Sequence, residues 1–359
     1  MFVAWRDLGF AKGRFALMGT VIVLITLLVG LLSGLTAGLA RENISAITGL
    51  PADRLAFAAP PGGREVSFTA STVTERSWRE WARQPGVTAA EPVGIRTLNA
   101  VSGDRTAAVT AFGTEPAARI APDSTRLGPG RAVLSRSAAG ELGAEPGDRV
   151  RLGTREVTVA AVAGDASYAH TPVVWTSLDD WQGLGPTGTI PEEQATVIAL
   201  RGGTDHAAGD RAAGTESRTI DESLTAIGSY QAENGSLQLM RGFLFVISAL
   251  VTGAFFTVWT IQRSGDVAVL KALGASTPYL LKDALGQAVV MLTAGTLLGT
   301  GLAAGIGALV SGGDVPFVLE PLTVLGPAAV MIALGVLGAA LSIRRITAVD
   351  PLTALGSAR

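Results

Sequence analysis

Four uncharged stretches limit what this chain can become. Phe15–Ala40, Gly242–Gln262, Ala284–Gly313 and Pro321–Ile343 contain no Asp, Glu, Lys or Arg. Each exceeds the ~18 residues at which an apolar run reads as a membrane-spanning helix. The shortest has 21 residues, which at a rise of about 1.5 Å per residue covers about 30 Å, the hydrocarbon thickness of a bilayer. Lipid accepts no backbone hydrogen bonds, so runs of this kind cross it as helices. About 200 residues of ordinary polar sequence separate the first run from the second. The expected fold class is therefore an integral membrane α-helical protein: four transmembrane helices, with a large extracytoplasmic α+β domain between helices 1 and 2.

Basic residues orient the helices. Arg6, Lys12 and Arg14 flank the first run, Arg263, Lys271 and Lys282 lie between the second and third, and Arg344, Arg345 and Arg359 follow the fourth. With four spans these three groups fall on one side, and the positive-inside rule makes that side cytoplasmic. The loop Ser311–Glu320 opposite carries Asp314 and Glu320 and no base. The chain is thus expected to be a multi-pass protein of the cell membrane, with both termini cytoplasmic. The expected segments are a cytoplasmic interfacial helix at 1–14, spans at 15–40, 241–262, 283–313 and 321–343, and an extracytoplasmic domain at 41–240. A cytoplasmic segment at 263–282, an outer loop at 314–320 and a cytoplasmic tail at 344–359 complete the order. Phe2, Trp5, Leu8 and Phe10 give the first segment an apolar side suited to an interface. The alternative reading, a cleaved signal peptide, fits poorly, because the 26-residue run is longer than a usual signal-peptide apolar region.

Composition removes several classes of function. Charged residues make up 16% of the chain, against about 25% in soluble domains, and the four runs account for the deficit. A net charge of −2 argues against a nucleic-acid partner. The absence of cysteine removes disulfides, thiolate metal sites and cysteine nucleophiles. No G-x-x-x-x-G-K-[ST], G-x-S-x-G or H-E-x-x-H motif occurs, so neither ATP hydrolysis nor familiar hydrolase chemistry is expected of this chain. His206, near Asp205 and Asp210, reads as a solvated residue rather than a metal ligand. No catalytic residue, metal site or resident cofactor is expected.

Within the outer domain, strands are expected at Val66–Val73, Gly94–Val101, Ala107–Phe112, Arg149–Leu152, Val157–Val162 and Thr171–Trp175, with Thr196–Leu200 the last. Short helices are expected at Ser77–Arg83, Ser135–Leu142 (Ser135 as N-cap) and Leu178–Trp181. Pro146-Gly147-Asp148 reads as a turn and Gly202–Gly214 as a mobile loop. Ile220–Met240 turns helical and leads into the second span. Gly30, Gly34 and Gly38, then Gly295, Gly299, Gly301 and Gly305, recur at spacings that let membrane helices approach closely.

The segment joining the second and third runs reads Arg263-Ser-Gly-Asp-Val-Ala-Val-Leu-Lys-Ala-Leu-Gly-Ala-Ser-Thr-Pro278. It is too short for a domain, but Val267, Leu270 and Leu273 at helical spacing suit a short helix across the membrane face. With Arg344-Arg345-Ile-Thr-Ala-Val-Asp-Pro-Leu-Thr-Ala-Leu and Val133-Leu-Ser-Arg…Leu142-Gly…Pro146-Gly-Asp-Arg-Val-Arg-Leu, this passage resembles the permease subunits of four-helix, mechanotransmission-type ABC transporters. That group includes macrolide exporters, lipoprotein extractors and cell-division permeases. The resemblance covers the whole chain. It implies a homodimer of the permease with two copies of a separate cytoplasmic ATPase, which binds the ATP. That subunit would dock on Gly265, Asp266, Val269, Leu270, Lys271, Leu273 and Gly274.

The passage Gly164-Asp165-Ala-Ser-Tyr168-Ala-His170-Thr-Pro172…Trp181 is most similar to the permeases of bacterial haem-efflux systems. That resemblance implies haem as the transported substrate, held near the outer leaflet by Glu42, Tyr168 and Tyr230. The chemistry of haem ligation adds His170 and Met240 as candidates, with Arg41 or Arg241 for the propionates. Each has a plainer reading: Tyr168 as a strand cap, His170 as a turn residue, Met240 as packing, Glu42 as a solvated charge, Arg41 and Arg241 as interfacial anchors. Two other functions stay open. The same machine could export another amphiphile (glycolipid, peptide or macrolide), or the chain could relay a signal to cell-wall enzymes without transport.

Overall fold

The computed structural model describes residues 12–185, 193–262, 265, 269, 274–310 and 315–347. The chain divides into two compact units, Met1–Gly38 with Ser236–Arg359, and Leu39–Gly235.

Four long helices, Lys12–Thr48, Gly228–Gln262, Thr277–Val310 and Pro321–Thr347, carry the apolar runs. All four are long and apolar enough to cross a membrane. Their outward side chains are apolar: Leu250 is 68% and Leu309 88% exposed. Water would make such a surface costly, whereas lipid tails solvate it. The first and second helices outrun their apolar runs, because backbone hydrogen bonding continues where the side chains become polar. Glu42 and Asn43 therefore sit within a helix, not after one.

Small residues bring the helices of this first unit together. A Cβ on Gly30 would approach Ala303 to 2.7 Å, and one on Gly299 would reach the Val23 carbonyl at 2.6 Å. Gly34 and Gly307 lie against the Phe317 ring, and Gly38 lies on the backbone of Pro316. The Val318 amide donates to the Gly34 carbonyl at 3.2 Å. Gly301 and Gly305 differ from expectation: a Cβ on either would meet nothing within 4 Å, so they make no close helix contact in this chain.

Of the expected ATPase-coupling residues, Gly265, Val269 and Gly274 are described, and all three are exposed. Gly274 has φ +97°, a backbone conformation that suits glycine at a helix stop. Asp266, Val267, Leu270, Lys271 and Leu273 lie outside the described residues. So do residues 1–11 of the expected interfacial helix, 311–314 of the third span and outer loop, and 348–359 of the tail.

The unit Leu39–Gly235 is β-rich. Its strands are β1 Arg54–Ala58, β2 Val73–Thr74, β3 Val87–Ser102, β4 Arg105–Thr114, β5 Arg131–Leu134 and β6 Arg149–Leu152, then β7 Arg155–Val162, β8 Ser167–Tyr168, β9 Thr171–Ser177, β10 Gln194–Ala195, β11 Val197–Gly202 and β12 Thr215–Thr219. The main sheet runs β12-β1-β11-β3-β4-β9-β5-β7-β6, with β8 paired to β9; β10 pairs separately with β2. The pairs β4–β9 and β5–β7 are parallel. Alternation sets the faces: Arg149 and Arg151 are exposed while Val150 and Leu152 are buried. One core cluster gathers Phe57, Phe68, Phe112, Tyr168 and Trp175; another holds Trp78, Trp81 and Trp181.

Ser135 caps its helix as expected, accepting from the Ala138 amide at 3.2 Å. Four local expectations fail. Val66–Val73 is not a strand beyond Val73, because Ser67 and Thr69 bond one another at 2.9 Å and turn the backbone. Gly202–Gly214 holds a helix, His206–Ala213, capped by Asp205, with Gly214 at φ +68° ending it. Its Gly209 fits against Trp81, and His206 packs half-buried near the same ring, at 6.4 Å between centroids, rather than standing in solvent. Thr196–Leu200 is not the last strand, since β12 follows. The strands β1, β5, β8, β10 and β12 carry no expected counterpart.

Two substitutions test these contacts. Gly38→Leu is expected to cost about 1–3 kcal/mol by overpacking, seen as a lowered midpoint in thermal unfolding, whereas Gly301→Ala leaves the midpoint unchanged. Asp205→Ala is expected to cost about 1 kcal/mol through loss of the cap, and Asp205→Asn restores most of it.

Candidate functional site

A hairpin places the first candidate. β8 and β9 are joined by Ala169 and His170, with φ of +49° and +63°. Two left-handed residues make the tight turn that suits strand twist, but glycine or asparagine usually supplies them. Here Ala and His adopt the conformation at a cost of about 1–2 kcal/mol each. External contacts hold the turn: the Ala169 amide donates to the Asn43 carbonyl at 3.0 Å, and the His170 amide to the Glu42 carbonyl at 3.3 Å. Ser45 Oγ adds two bonds to Ser167, accepting from its amide at 2.9 Å and donating to its carbonyl at 3.2 Å. The strained turn and the helix carrying Glu42 are thus tied together at four points.

The imidazole stands between two carboxylates. His170 Nε2 lies 2.8 Å from Glu233, and Nδ1 lies 3.6 Å from Glu42. Asn43, only 1% exposed, reaches Glu233 with its amide at 3.2 Å and accepts from Ser229 Oγ at 2.9 Å. Glu233 is an acceptor, and a hydrogen on Nε2 suits it; the Asn43 amide donates to the same carboxylate and lies 3.1 Å from Nε2. Nδ1 is the freer nitrogen. Glu141 adds further negative charge nearby: burial first, and the charge of Glu42 second, hold its carboxyl above the usual range.

The two tyrosines take different places. Tyr168 is buried, packed edge-on against Phe68 and Phe112 at centroid distances of 5.7 and 5.9 Å. Burial pushes its pKa above the ordinary value, so the phenol stays neutral and is a poor candidate for a phenolate ligand. Tyr230 is half-buried and packs against the same core cluster. Arg41 is exposed.

The structure thus brings Glu42 and His170 together, with Tyr230 on the neighbouring core. Met240 and Arg241 belong to the other unit, where Met240 is 55% exposed and Arg241 half-buried. Sequence reasoning missed Asn43, Ser229 and Glu233. Asn43 adjoins Glu42, but its contact with Glu233 spans 190 positions, and no spacing rule signals such a pair. No group of three or more metal-ligating residues stands out among the described residues.

Two family profiles match the chain. The MacB-like periplasmic core domain matches residues 15–215, more than half of the chain, and the FtsX-like permease C-terminal region matches 239–351. A Staphylococcus haemolyticus protein named for hemin transport, the system permease HrtB, is 25% identical over 99% of both chains. A Mycobacterium bovis protein named only as an ABC transporter permease is 26% identical, again over 99% of both. Among solved structures, the periplasmic region of MacB from Actinobacillus actinomycetemcomitans is 12% identical, covering 49% of this chain and 92% of that one at a TM-score of 0.35. Four membrane-length helices, with a large β-rich domain between the first and second, complete the pattern. The chain is a multi-pass membrane protein with a large extracellular domain, and it belongs to the ABC transporter permeases that join a MacB-like periplasmic core domain to an FtsX-like C-terminal region.

Proposed function

We propose that the chain is the permease subunit of an ABC exporter that expels haem from the outer leaflet. Two copies pair with two copies of a cytoplasmic ATPase docked on the 263–282 segment, and both termini are cytoplasmic. ATP binding closes the ATPases, and the closure reaches the outer domain through the helices. What carries this reading is the likeness along 99% of the chain to a permease named for hemin transport.

The His170 cluster supports it chemically. A haem-ligating histidine uses one nitrogen for iron and anchors the other on a carboxylate, which fixes the ring and raises its basicity. His170 has that anchor in Glu233, and Nδ1 is the nitrogen left to turn toward iron. Glu42 then stands at the positively charged iron side of ferric haem. The propionates need a cation instead, and Arg41 is the exposed one adjoining Glu42. Tyr230 offers a flat apolar face, while Tyr168 supports it from behind rather than touching iron.

Haem titration of the purified permease with its ATPase, followed at the Soret band, is the test. Saturable binding near about one haem per two chains is expected, weakened roughly tenfold or more, about 1.4 kcal/mol, by Glu42→Ala, His170→Ala and Tyr230→Ala. Tyr168→Phe is expected to bind normally. No saturable binding would sink the haem reading and favour another amphiphile, which the equally similar mycobacterial relative leaves open. Asn43→Leu strands Ser229 and removes a donor from Glu233. It is expected to cost about 1–3 kcal/mol in thermal unfolding and to weaken haem binding through the misplaced ring.

A further inference from the structure

The Leu39–Gly235 unit holds a cavity of about 570 Å³, whose walls include Phe68, Ile95, Arg96, Tyr168, Trp181 and Gln182. That volume lies within the range of sites for small organic ligands. Three of these residues carry buried N–H groups that nothing among the described residues accepts: Arg96 Nη1, Trp181 Nε1 and Gln182 Nε2. Folded proteins pair the great majority of such groups, and a cluster of orphans around one space asks for a reason. Arg96 adds a charge. Its guanidinium lies over the Trp181 ring at 4.8 Å, which fixes its plane. Burial holds it below its ordinary pKa, and no carboxylate among the described residues opposes that shift. Among the described residues, the ion pairs of the outer unit join other arginines to carboxylates and leave Arg96 out.

The unmet groups are all donors, and arginine cannot accept. The ligand they fit is rich in acceptors and negatively charged. The remaining wall is mixed: Phe68 and Tyr168 are buried aromatics and Ile95 is half-buried, while Ser71, Thr97, Gln194 and Thr196 add hydroxyl and amide groups. We propose that this cavity binds a ring-bearing organic carboxylate, its charged group on Arg96 and Gln182 and its ring against Phe68 and Tyr168. Arg96 is the recognition residue, because a carboxylate there supplies both the missing counter-ion and the missing acceptors. The site uses neither Glu42 nor His170, and it stands whether or not the protein handles haem.

Calorimetric titration of the full chain in lipid nanodiscs tests this, with 2-naphthoate as the probe and 2-naphthamide as its uncharged counterpart. Saturable naphthoate binding is expected, at least tenfold tighter than the amide. Arg96→Met keeps an apolar stem on Trp181 but removes the charge and the donors. It is expected to weaken naphthoate at least tenfold while Tm stays level or rises, since a half-buried cation without a carboxylate partner is gone. A purely structural Arg96 would instead lower Tm. The surface change Arg136→Met is expected to alter neither. Absence of saturable naphthoate binding, equal affinity for acid and amide, or binding that survives Arg96→Met overturns the proposal. Should Arg96→Met fail to fold, Gln182→Leu decides the matter: it must weaken naphthoate severalfold without lowering Tm, and unchanged binding overturns the proposal.

Discussion

Hydrocarbon offers nothing to a peptide N–H or C=O. Each of the four apolar runs must therefore satisfy its backbone within itself, and a helix is the form that does so. The hydrophobic effect cannot then hold the helices to one another, because lipid tails are as apolar as leucine. What remains is close packing, and the glycines supply it. Gly30, Gly34, Gly38, Gly295 and Gly299 remove the side chains that would keep helix backbones and the Pro316–Phe317 segment apart. The buried bundle cluster is correspondingly small: Met18, Ile22, Phe256, Ala288, Leu292 and Ala339. The outer unit works on the opposite principle, with apolar side chains gathered inside and arginines outside on strands such as Arg149–Leu152.

The membrane helices were legible because their signal is long and local. The elements of the outer unit were partly so. The alternation of Arg149–Leu152 and the cap at Ser135 act over a few residues, and both stand where the residues indicate. Val66–Val73 fails through a local bond between Ser67 and Thr69; the other failures involve partners held far away in sequence. Asp205 and Gly214 supply local caps for the helix within Gly202–Gly214, and Trp81 provides the distant surface on which Gly209 packs. The strand β1 is five residues long and depends on partners from β11 and β12, more than 130 positions on. At the candidate site, Glu42 and His170 could be named from residue chemistry and resemblance. Glu233, which anchors the imidazole, could not, because only the folded turn brings it near.

Both places singled out in the outer unit keep something the fold alone does not favour. The turn at Ala169 and His170 holds two side-chain-bearing residues in a conformation better suited to glycine. The cavity beside Trp181 keeps a cation and two further donors without acceptors among the described residues. Local departures of this kind are maintained where the surrounding structure is over-determined, and they gather at sites of function. Tyr168 links the two places, since it belongs to the strand that enters the turn and also lines the cavity.

The pairing of β1 with β12 bears on how the protein is made. Arg54 meets Thr219 in the sheet, so the first strand of the outer unit waits for the last. A ribosome adding about 5–20 residues per second needs roughly ten to thirty seconds to cover that interval. Through that time the edge of Leu55, Ala56 and Phe57, all fully buried in the finished sheet, stands open on the far side of the membrane. The newborn chain is most open to aggregation and proteolysis in that interval, and closure of the sheet coincides with the arrival of the segment that leads into the second span.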